Sequence, residues 1–186
     1  MRSIFAAVFL FAAPSFASLA SRPADEITSS TPMEGLYAGL AGGGALIIID
    51  TGNAFGYDVE GRLGYSFNPG LQVYLSGSVD GAPIRGPVGN SFRSEIVAVF
   101  VQYHLYARRS VGVYARAGIG VALSSSYAQS AVGLAASGGL GIEIGFSPHL
   151  FLAPEVFYKN ANLSLSNGGG TVAEQVVGLQ LGLIFY

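Results

Sequence analysis

Residues 56–80 read GYDVEGRLGYSFNPGLQVYLSGSVD, and the alternation within this stretch decides the fold. On either side of the turn sequence NPG at 68–70, odd positions are apolar, aromatic or glycine. Even positions are mostly polar, and in the first half they include three charges, Asp58, Glu60 and Arg62. Because successive side chains of a β-strand point to opposite faces, the stretch predicts a hairpin with one apolar and one charged face. The face that meets water then decides the class of protein.

The composition does not describe a water-soluble surface. Charged residues make up 11% of the 186 residues, against ~25% in soluble domains, and 27 residues are glycine. A net charge of −2, with no basic cluster beyond the Arg108-Arg109 pair, gives no case for nucleic-acid binding. The absence of cysteine excludes disulfides, thiolate metal sites and a cysteine nucleophile.

Residues 1–20 have the layout of a secretory signal peptide. One positive residue precedes an apolar core at 4–13, and Pro14 and small residues follow. Small residues at the −3 and −1 positions allow cleavage after Ala17 or Ala20. The alternative is a membrane anchor helix, but the short core and the proline favour cleavage and export.

The remaining chain divides into a leader and a strand-rich domain. Residues 21–34, SRPADEITSSTPME, predict a flexible periplasmic leader, and residues 35–186 predict eight strands. The predicted strands are about 36–49, 57–67, 71–80, 93–106, 111–123, 131–146, 150–159 and 172–185. The face of the first strand stays open, because Leu36 and Tyr37 compete for its apolar side. Short turns at 68–70, 107–110 and 147–149 alternate with generally longer connections at 50–54, 81–92, 124–130 and 160–170.

Aromatic residues gather at the short-turn end of these strands. Tyrosine and tryptophan favour the bilayer interface because each combines an apolar ring with a polar tip. The pattern predicts an interfacial belt made of Tyr37, Tyr65, Phe67, Tyr103, Tyr106, Phe146, Phe151, Phe185 and Tyr186.

The cost of burying charge in lipid decides which face is outside. If the charged face met lipid, Arg62 and Arg116 near mid-strand would each cost ~2–4 kcal/mol, a large share of a domain's usual ~5–15 kcal/mol of stability. With the apolar face outward, about ten residues tilted ~40° cross an apolar band of about 25 Å. Unpaired backbone groups are not tolerated in lipid, so the sheet must close. The sequence therefore predicts an all-β, eight-stranded antiparallel up-and-down transmembrane β-barrel.

The signal peptide, the alternating strands, the short and long connections and the terminal GLQLGLIFY resemble the small bacterial outer-membrane β-barrel family. This family includes the OmpA N-terminal barrel, OmpX, OmpW and the opacity-like proteins, and the resemblance covers about residues 35–186. It implies insertion by the barrel-assembly machinery, which reads the last strand and its terminal aromatic residue. Tyr186 is that residue here, but the apolar phase of the strand ends on Phe185. Either residue is a candidate assembly signal.

Alternation assigns seven charged residues to the interior: Asp58, Glu60, Arg62, Arg116, Glu143, Glu155 and Lys159. An eight-stranded barrel is just wide enough to be filled by side chains or to hold one small ligand. We interpret the seven as a salt-bridge network that plugs the lumen, in which Asp58, Glu60 and Arg62 pair with Arg116, Glu143 or Glu155. The alternative is a narrow ion path.

The sequence gives little support for catalysis, a metal or a cofactor. Barrels of similar size that modify lipid A need a His–Ser pair near the outer rim. Here His104 and His149 both fall near the short-turn side, and neither has a serine two residues on. We interpret His149 as a turn residue and His104 as an inward polar residue. Two histidines on separate segments make no metal site, and no glycine cluster has phosphate-loop spacing.

The expected function is a structural or surface-interaction role, with loops 81–92, 124–130 and 160–170 exposed for binding. The expected partners are outer-membrane lipids and lipopolysaccharide, and the assembly machinery during insertion; we expect a monomer. One alternative is a narrow channel or a carrier for small, apolar solutes through a lateral opening. Another is a secreted soluble lipid-binding barrel, which would need Glu60, Arg62 and Arg116 outside.

Overall fold

Eight antiparallel strands account for most of the residues that the computed structural model describes, namely 34–49, 52–67, 70–83, 91–108, 111–126, 129–147, 149–165 and 170–186. The strands are β1 (Gly35–Ile49), β2 (Gly52–Phe67), β3 (Leu71–Pro83), β4 (Ser91–Arg108), β5 (Val111–Ser126), β6 (Gln129–Gly145), β7 (Leu150–Leu165) and β8 (Thr171–Phe185). Each strand pairs with its sequence neighbours and β1 pairs with β8, which closes the barrel. The predicted eight-stranded barrel is confirmed. The predicted signal peptide and all of the leader except Glu34 lie outside the described residues.

None of the described residues belongs to a helix long and apolar enough to cross a membrane.

The burial of side chains follows the alternation and is inverted relative to a soluble protein. Leucines such as Leu63 and Leu134 are 64% and 75% exposed on the outside, whereas charged side chains such as Asp58 and Glu60 are almost completely buried. The open phase of β1 is resolved, because Leu36 is exposed and Tyr37 is fully buried. An apolar exterior around a polar interior is the arrangement of a barrel that is solvated by lipid.

The strands at the long-loop end extend further than the sequence suggests, so the predicted loop boundaries were wrong. The clearest case is the loop predicted at 160–170, because β7 continues to Leu165 and pairs with β8 as far as the Ser164–Thr171 pair. Residues 81–83, 91–92, 124–126, 129–130 and 52–54 are also in strands. In these segments the contrast between apolar and polar side chains weakens, but antiparallel backbone pairing continues because it does not depend on side-chain polarity.

The predicted belt was wrong for three of its nine aromatic residues, Tyr37, Phe151 and Tyr186. Tyr65, Phe67, Tyr106, Phe146 and Phe185 are exposed on the outside at the short-turn end. Tyr37 is instead buried inside, where its ring lies 5.5 Å from that of Tyr186. The Tyr186 ring folds under the barrel and lies 5.3 Å from the ring of Phe151, which packs against the same interior cluster. All three residues are in the inward phase of their strands, and Tyr186 continues the inward row of β8, so the belt was drawn from height along the strands without regard to their faces.

Glycines make room for the large rings inside the barrel. A ring on one strand lies opposite a glycine on its neighbour, so that the ring occupies the space of a missing side chain. Four such interior pairs are Tyr74–Gly64, Phe100–Gly118, Tyr114–Gly141 and Phe157–Gly178, and others are present. The lumen is therefore filled by aromatic rings as well as by charges.

We expect Gly118→Ala to lower the free energy of unfolding by about 1–3 kcal/mol, the usual cost of overpacking a filled core. The added Cβ would lie 2.7 Å from the Phe100 ring and 2.8 Å from the Val99 carbonyl oxygen, and the latter is backbone that cannot rotate away. Gly44→Ala is the matched control, since its Cβ would meet nothing within 4 Å. Denaturant unfolding in lipid vesicles gives the comparison; equal stability of the two variants would contradict the ring-accommodation argument.

Candidate functional site

All seven charged residues assigned to the lumen lie inside the barrel, and none is more than 5% exposed. They do not form one cluster. Six of them form two ion-paired groups with nearby residues, and the seventh, Glu143, belongs to a third. We name the groups the outer, central and floor layers, in order from the long-loop end to the short-turn end.

The central layer consists of Glu60, Arg62, Arg116 and Glu155, which come from β2, β5 and β7. Arg116 donates to Glu60 through both terminal nitrogens, at 2.6 Å and 2.9 Å, and its Nε donates to Glu155 at 2.6 Å. Arg62 donates to the same two carboxylates, at 3.1 Å each. Two guanidinium groups thus face two carboxylates, and the layer has no net charge.

Neutral donors complete the central layer. The Ser76 hydroxyl donates to Glu60 at 2.7 Å, the Tyr114 hydroxyl donates to Glu155 at 2.7 Å, and the Gln180 amide reaches both carboxylates. The guanidinium carbon of Arg116 lies 4.6 Å from the centre of the Phe100 ring. Buried charges are stable only when they are paired and hydrogen-bonded. Every charged group of this layer is ion-paired, and Arg62 Nε is the one nitrogen or oxygen of its four charged side chains that is buried without a hydrogen-bond partner among the described residues.

The outer layer is built around Lys159. Its ammonium group donates to Asp58, to both carboxylate oxygens of Asp80 at 3.0–3.1 Å, and to the Ser78 hydroxyl at 3.0 Å. Glu174 is also buried at this end, at 1% exposed. Our sequence-based site omitted both Asp80 and Glu174. The sequence pattern could have identified both residues. Asp80 lies on the polar face of the opening hairpin, and Glu174 is an even number of residues from Gln180, so these two share one face of β8.

The floor layer is centred on Glu143. Its carboxylate accepts hydrogen bonds from the Gln102 amide at 3.0 Å and from the Tyr186 hydroxyl at 3.0 Å, and it lies 3.0 Å from Nε2 of His104. Nδ1 of His104 lies 3.2 Å from the carbonyl oxygen of Gly70, in the turn before β3. Burial raises the pKa of the Tyr186 phenol well above its usual value, so this group remains a neutral donor.

The predicted pairing of the hairpin charges with Glu143 was wrong, and Asp58 pairs with Lys159 and not with any of its three predicted partners. In the β5–β6 register, Glu143 lies opposite Gly112, whereas Arg116 lies opposite Gly139. This difference of four residues places Glu143 nearer the short-turn end than Arg116, and the ionic partner of Glu143 is His104.

His149 is on the exposed short-turn end, with Nδ1 3.1 Å from the Tyr186 carbonyl oxygen. Within the described segments, no group of three or more histidine, aspartate and glutamate side chains is placed to hold a metal ion.

The chain is similar in sequence and structure to known outer-membrane barrels. The family described as "Outer membrane protein beta-barrel domain" matches residues 3–185. Neisserial surface protein A (NspA) is 14% identical, with a TM-score of 0.68 over 81% of this chain and 96% of its own. Ail of Yersinia pestis is 21% identical, with a TM-score of 0.47 over 82% of this chain and 100% of Ail. OprG of Pseudomonas aeruginosa is 14% identical, with a TM-score of 0.49 over 86% of this chain and 99% of OprG. No curated protein sequence is significantly similar to the chain.

Proposed function

Since this chain belongs to the family of outer membrane protein beta-barrel domains, we propose that it is a plugged barrel with a structural or surface-interaction role. It lies in the bacterial outer membrane. Its strands expose an apolar wall to lipid, and its connections at the long-loop end are the parts available to external partners.

The observation that carries this proposal is the closed central layer. Four oppositely charged side chains cross the lumen at one level, and each is at most 5% exposed. Opening a path through this level would separate buried ion pairs, and a buried charge that loses its partner costs about 3–5 kcal/mol. A cost of that size keeps the open arrangement a minor state, at about 1% of the molecules or less.

We expect the purified barrel to show no stable large openings in a planar lipid bilayer, because the central layer blocks the lumen. A double variant, Glu60→Ala with Arg116→Ala, removes one acid and one base, so that it keeps the net charge while opening the layer. Its conductance should exceed that of the wild type, which shows that the assay detects an open lumen. Stable large openings in the wild type would overturn the plug.

A narrow cation path is the second candidate, and an excess of acids favours it. The buried ionisable residues among those described comprise six acids, Asp58, Glu60, Asp80, Glu143, Glu155 and Glu174, but only three permanently charged bases, Arg62, Arg116 and Lys159, beside the titratable His104. A lumen lined by negative charge attracts cations. Small openings with cation selectivity in the same bilayer experiment would favour this candidate.

The proposed partners follow from the placement of the barrel. Outer-membrane lipids and lipopolysaccharide contact the apolar wall and its outer rim, and the barrel-assembly machinery binds the last strand during insertion. We propose a monomer, because lipid alone satisfies an apolar exterior and the backbone pairing closes within one chain. We propose no nucleic-acid partner, because the net charge of the chain is −2.

A further inference from the structure

A groove of about 570 Å³ indents the outer wall of the barrel across β1–β4. Its sides are the exposed apolar side chains of Leu40, Leu63, Leu75 and Val97, and Phe185 lies at the short-turn end. Arg62 and Ser76 also border it, but their side chains point into the barrel, so they present only backbone. The groove is therefore an apolar cleft that opens only toward lipid.

Two outward-facing glycines create the groove. Leu40, Gly61, Gly77 and Val97 are consecutive partners in one row across β1, β2, β3 and β4. The two central positions lack side chains, whereas leucine and valine stand on either side. Packing within the barrel does not require these glycines, because a Cβ at Gly77 would meet nothing within 4 Å and one at Gly61 would meet its nearest atom at 3.8 Å. In this they differ from Gly118, which must accommodate a ring.

We propose that this groove holds one acyl chain of a phospholipid from the periplasmic leaflet. The surrounding wall is apolar and lies in the hydrocarbon region, so the occupant must be hydrocarbon. A second copy of the chain would need an interface of about 1,200–2,000 Å² in total, and eleven residues around a narrow cleft do not supply it. Phe185 and the exposed Tyr65 lie at the short-turn end, where a headgroup of that leaflet would sit.

Shape complementarity retains the chain in the groove. In a bilayer, lipid and protein side chains are equally apolar, so transfer from water contributes nothing and van der Waals contact decides which positions hold a lipid longest. A chain in the cleft touches side chains on both flanks and backbone below, whereas a chain on the convex wall touches only one side. The inference rests on the outer-membrane location and is independent of the plugged lumen.

Native mass spectrometry tests the proposal. The barrel is reconstituted into vesicles of phosphatidylethanolamine and phosphatidylglycerol, extracted in mild detergent, and its mass is measured. We expect the wild type to retain one phospholipid. The double variant Gly61→Leu with Gly77→Leu fills the groove and should lose it. The matched control, Gly42→Leu with Gly44→Leu, adds side chains on the same wall outside the groove, where a Cβ at Gly44 would meet nothing within 4 Å and one at Gly42 its nearest atom at 3.7 Å, and it should keep the phospholipid.

Each other outcome overturns the proposal. A wild type without bound phospholipid, or equal retention in the groove-filled variant, would show that the cleft holds no specific chain. Loss in both double variants would indicate a general effect of bulk on the wall. A dimer mass that disappears when the groove is filled would assign the groove to a second copy. Heat-modifiable migration on a gel verifies folding, and the single variant Gly77→Val replaces the double variant if the latter does not fold.

Discussion

Replacing Arg116 by methionine is expected to lower the free energy of unfolding by about 3–5 kcal/mol. Arg116 binds both carboxylates of the central layer and is 4% exposed. Without it, Arg62 alone faces Glu60 and Glu155, and one buried negative charge is left without a partner. Removing one member of a buried pair costs more than the pair contributes, because the remaining charge stays desolvated.

Denaturant unfolding in lipid vesicles measures this effect. The chain has no tryptophan, so far-UV circular dichroism or the heat-modifiable gel band must follow the transition. Arg93→Ala is the control, because Arg93 and Glu95 also form an ion pair at 2.7 Å but their side chains are 58% and 45% exposed. Solvent screens such a pair, and we expect a loss of about 1 kcal/mol or less.

A second variant separates charge imbalance from lost packing. If the unpartnered carboxylate causes the loss, Arg116→Met combined with Glu60→Gln should be more stable than Arg116→Met alone. The recovery should be incomplete, because Glu60 also accepts hydrogen bonds from Ser76 and Gln180. A mild effect of Arg116→Met, equal to that of Arg93→Ala, would contradict the structural role of the central layer.

The face of each strand could be predicted from the sequence, but the height of each side chain could not. Alternation assigns Glu60, Arg116 and Glu143 to the interior, because the period of a strand is two residues. Which of them meet depends on the stagger of the strands around the closed barrel. Arg116 lies opposite Gly139, four residues along β6 from Glu143, and nothing in the sequence of either strand specifies that offset.

The strand ends show where side-chain polarity no longer marks a strand, whereas the last residue still follows the alternation. At 160–165 the sequence NANLSL is polar enough to suggest a loop, yet backbone pairing with β8 continues. Glu174 was missed because its strand was described by its apolar positions alone, although the same phase places it inside. Tyr186 continues the inward row of Gln180 and Ile184, so the alternation already places its ring inside.

The inward ring of Tyr186 separates the two candidate assembly signals. Phe185 ends the lipid-facing row of β8 and is 47% exposed. The Tyr186 hydroxyl instead donates to Glu143 in the floor layer, and the Gln72 amide donates to it. We therefore propose that Phe185 is the aromatic residue recognised during insertion and that Tyr186 makes a stabilising contact. A machinery that binds the outer surface of the last strand would find Phe185 accessible.

Deleting Phe185 and Tyr186 together is expected to abolish assembly in the outer membrane, and Phe185→Ala alone should remove most of it. Tyr186→Phe should assemble at normal levels, because it keeps the ring against Phe151 and loses only the hydroxyl. Its free energy of unfolding should fall by about 1–3 kcal/mol, since the buried Glu143 carboxylate loses a donor.

Leu183→Ala controls for loss of apolar surface on β8, because Leu183 is exposed to the same extent as Phe185, at 44% against 47%. Quantitative surface labelling, with heat-modifiable migration as the folding readout, gives the levels. Normal levels of the deletion would contradict a C-terminal signal, and failure of Tyr186→Phe with normal assembly of Phe185→Ala would reverse the assignment.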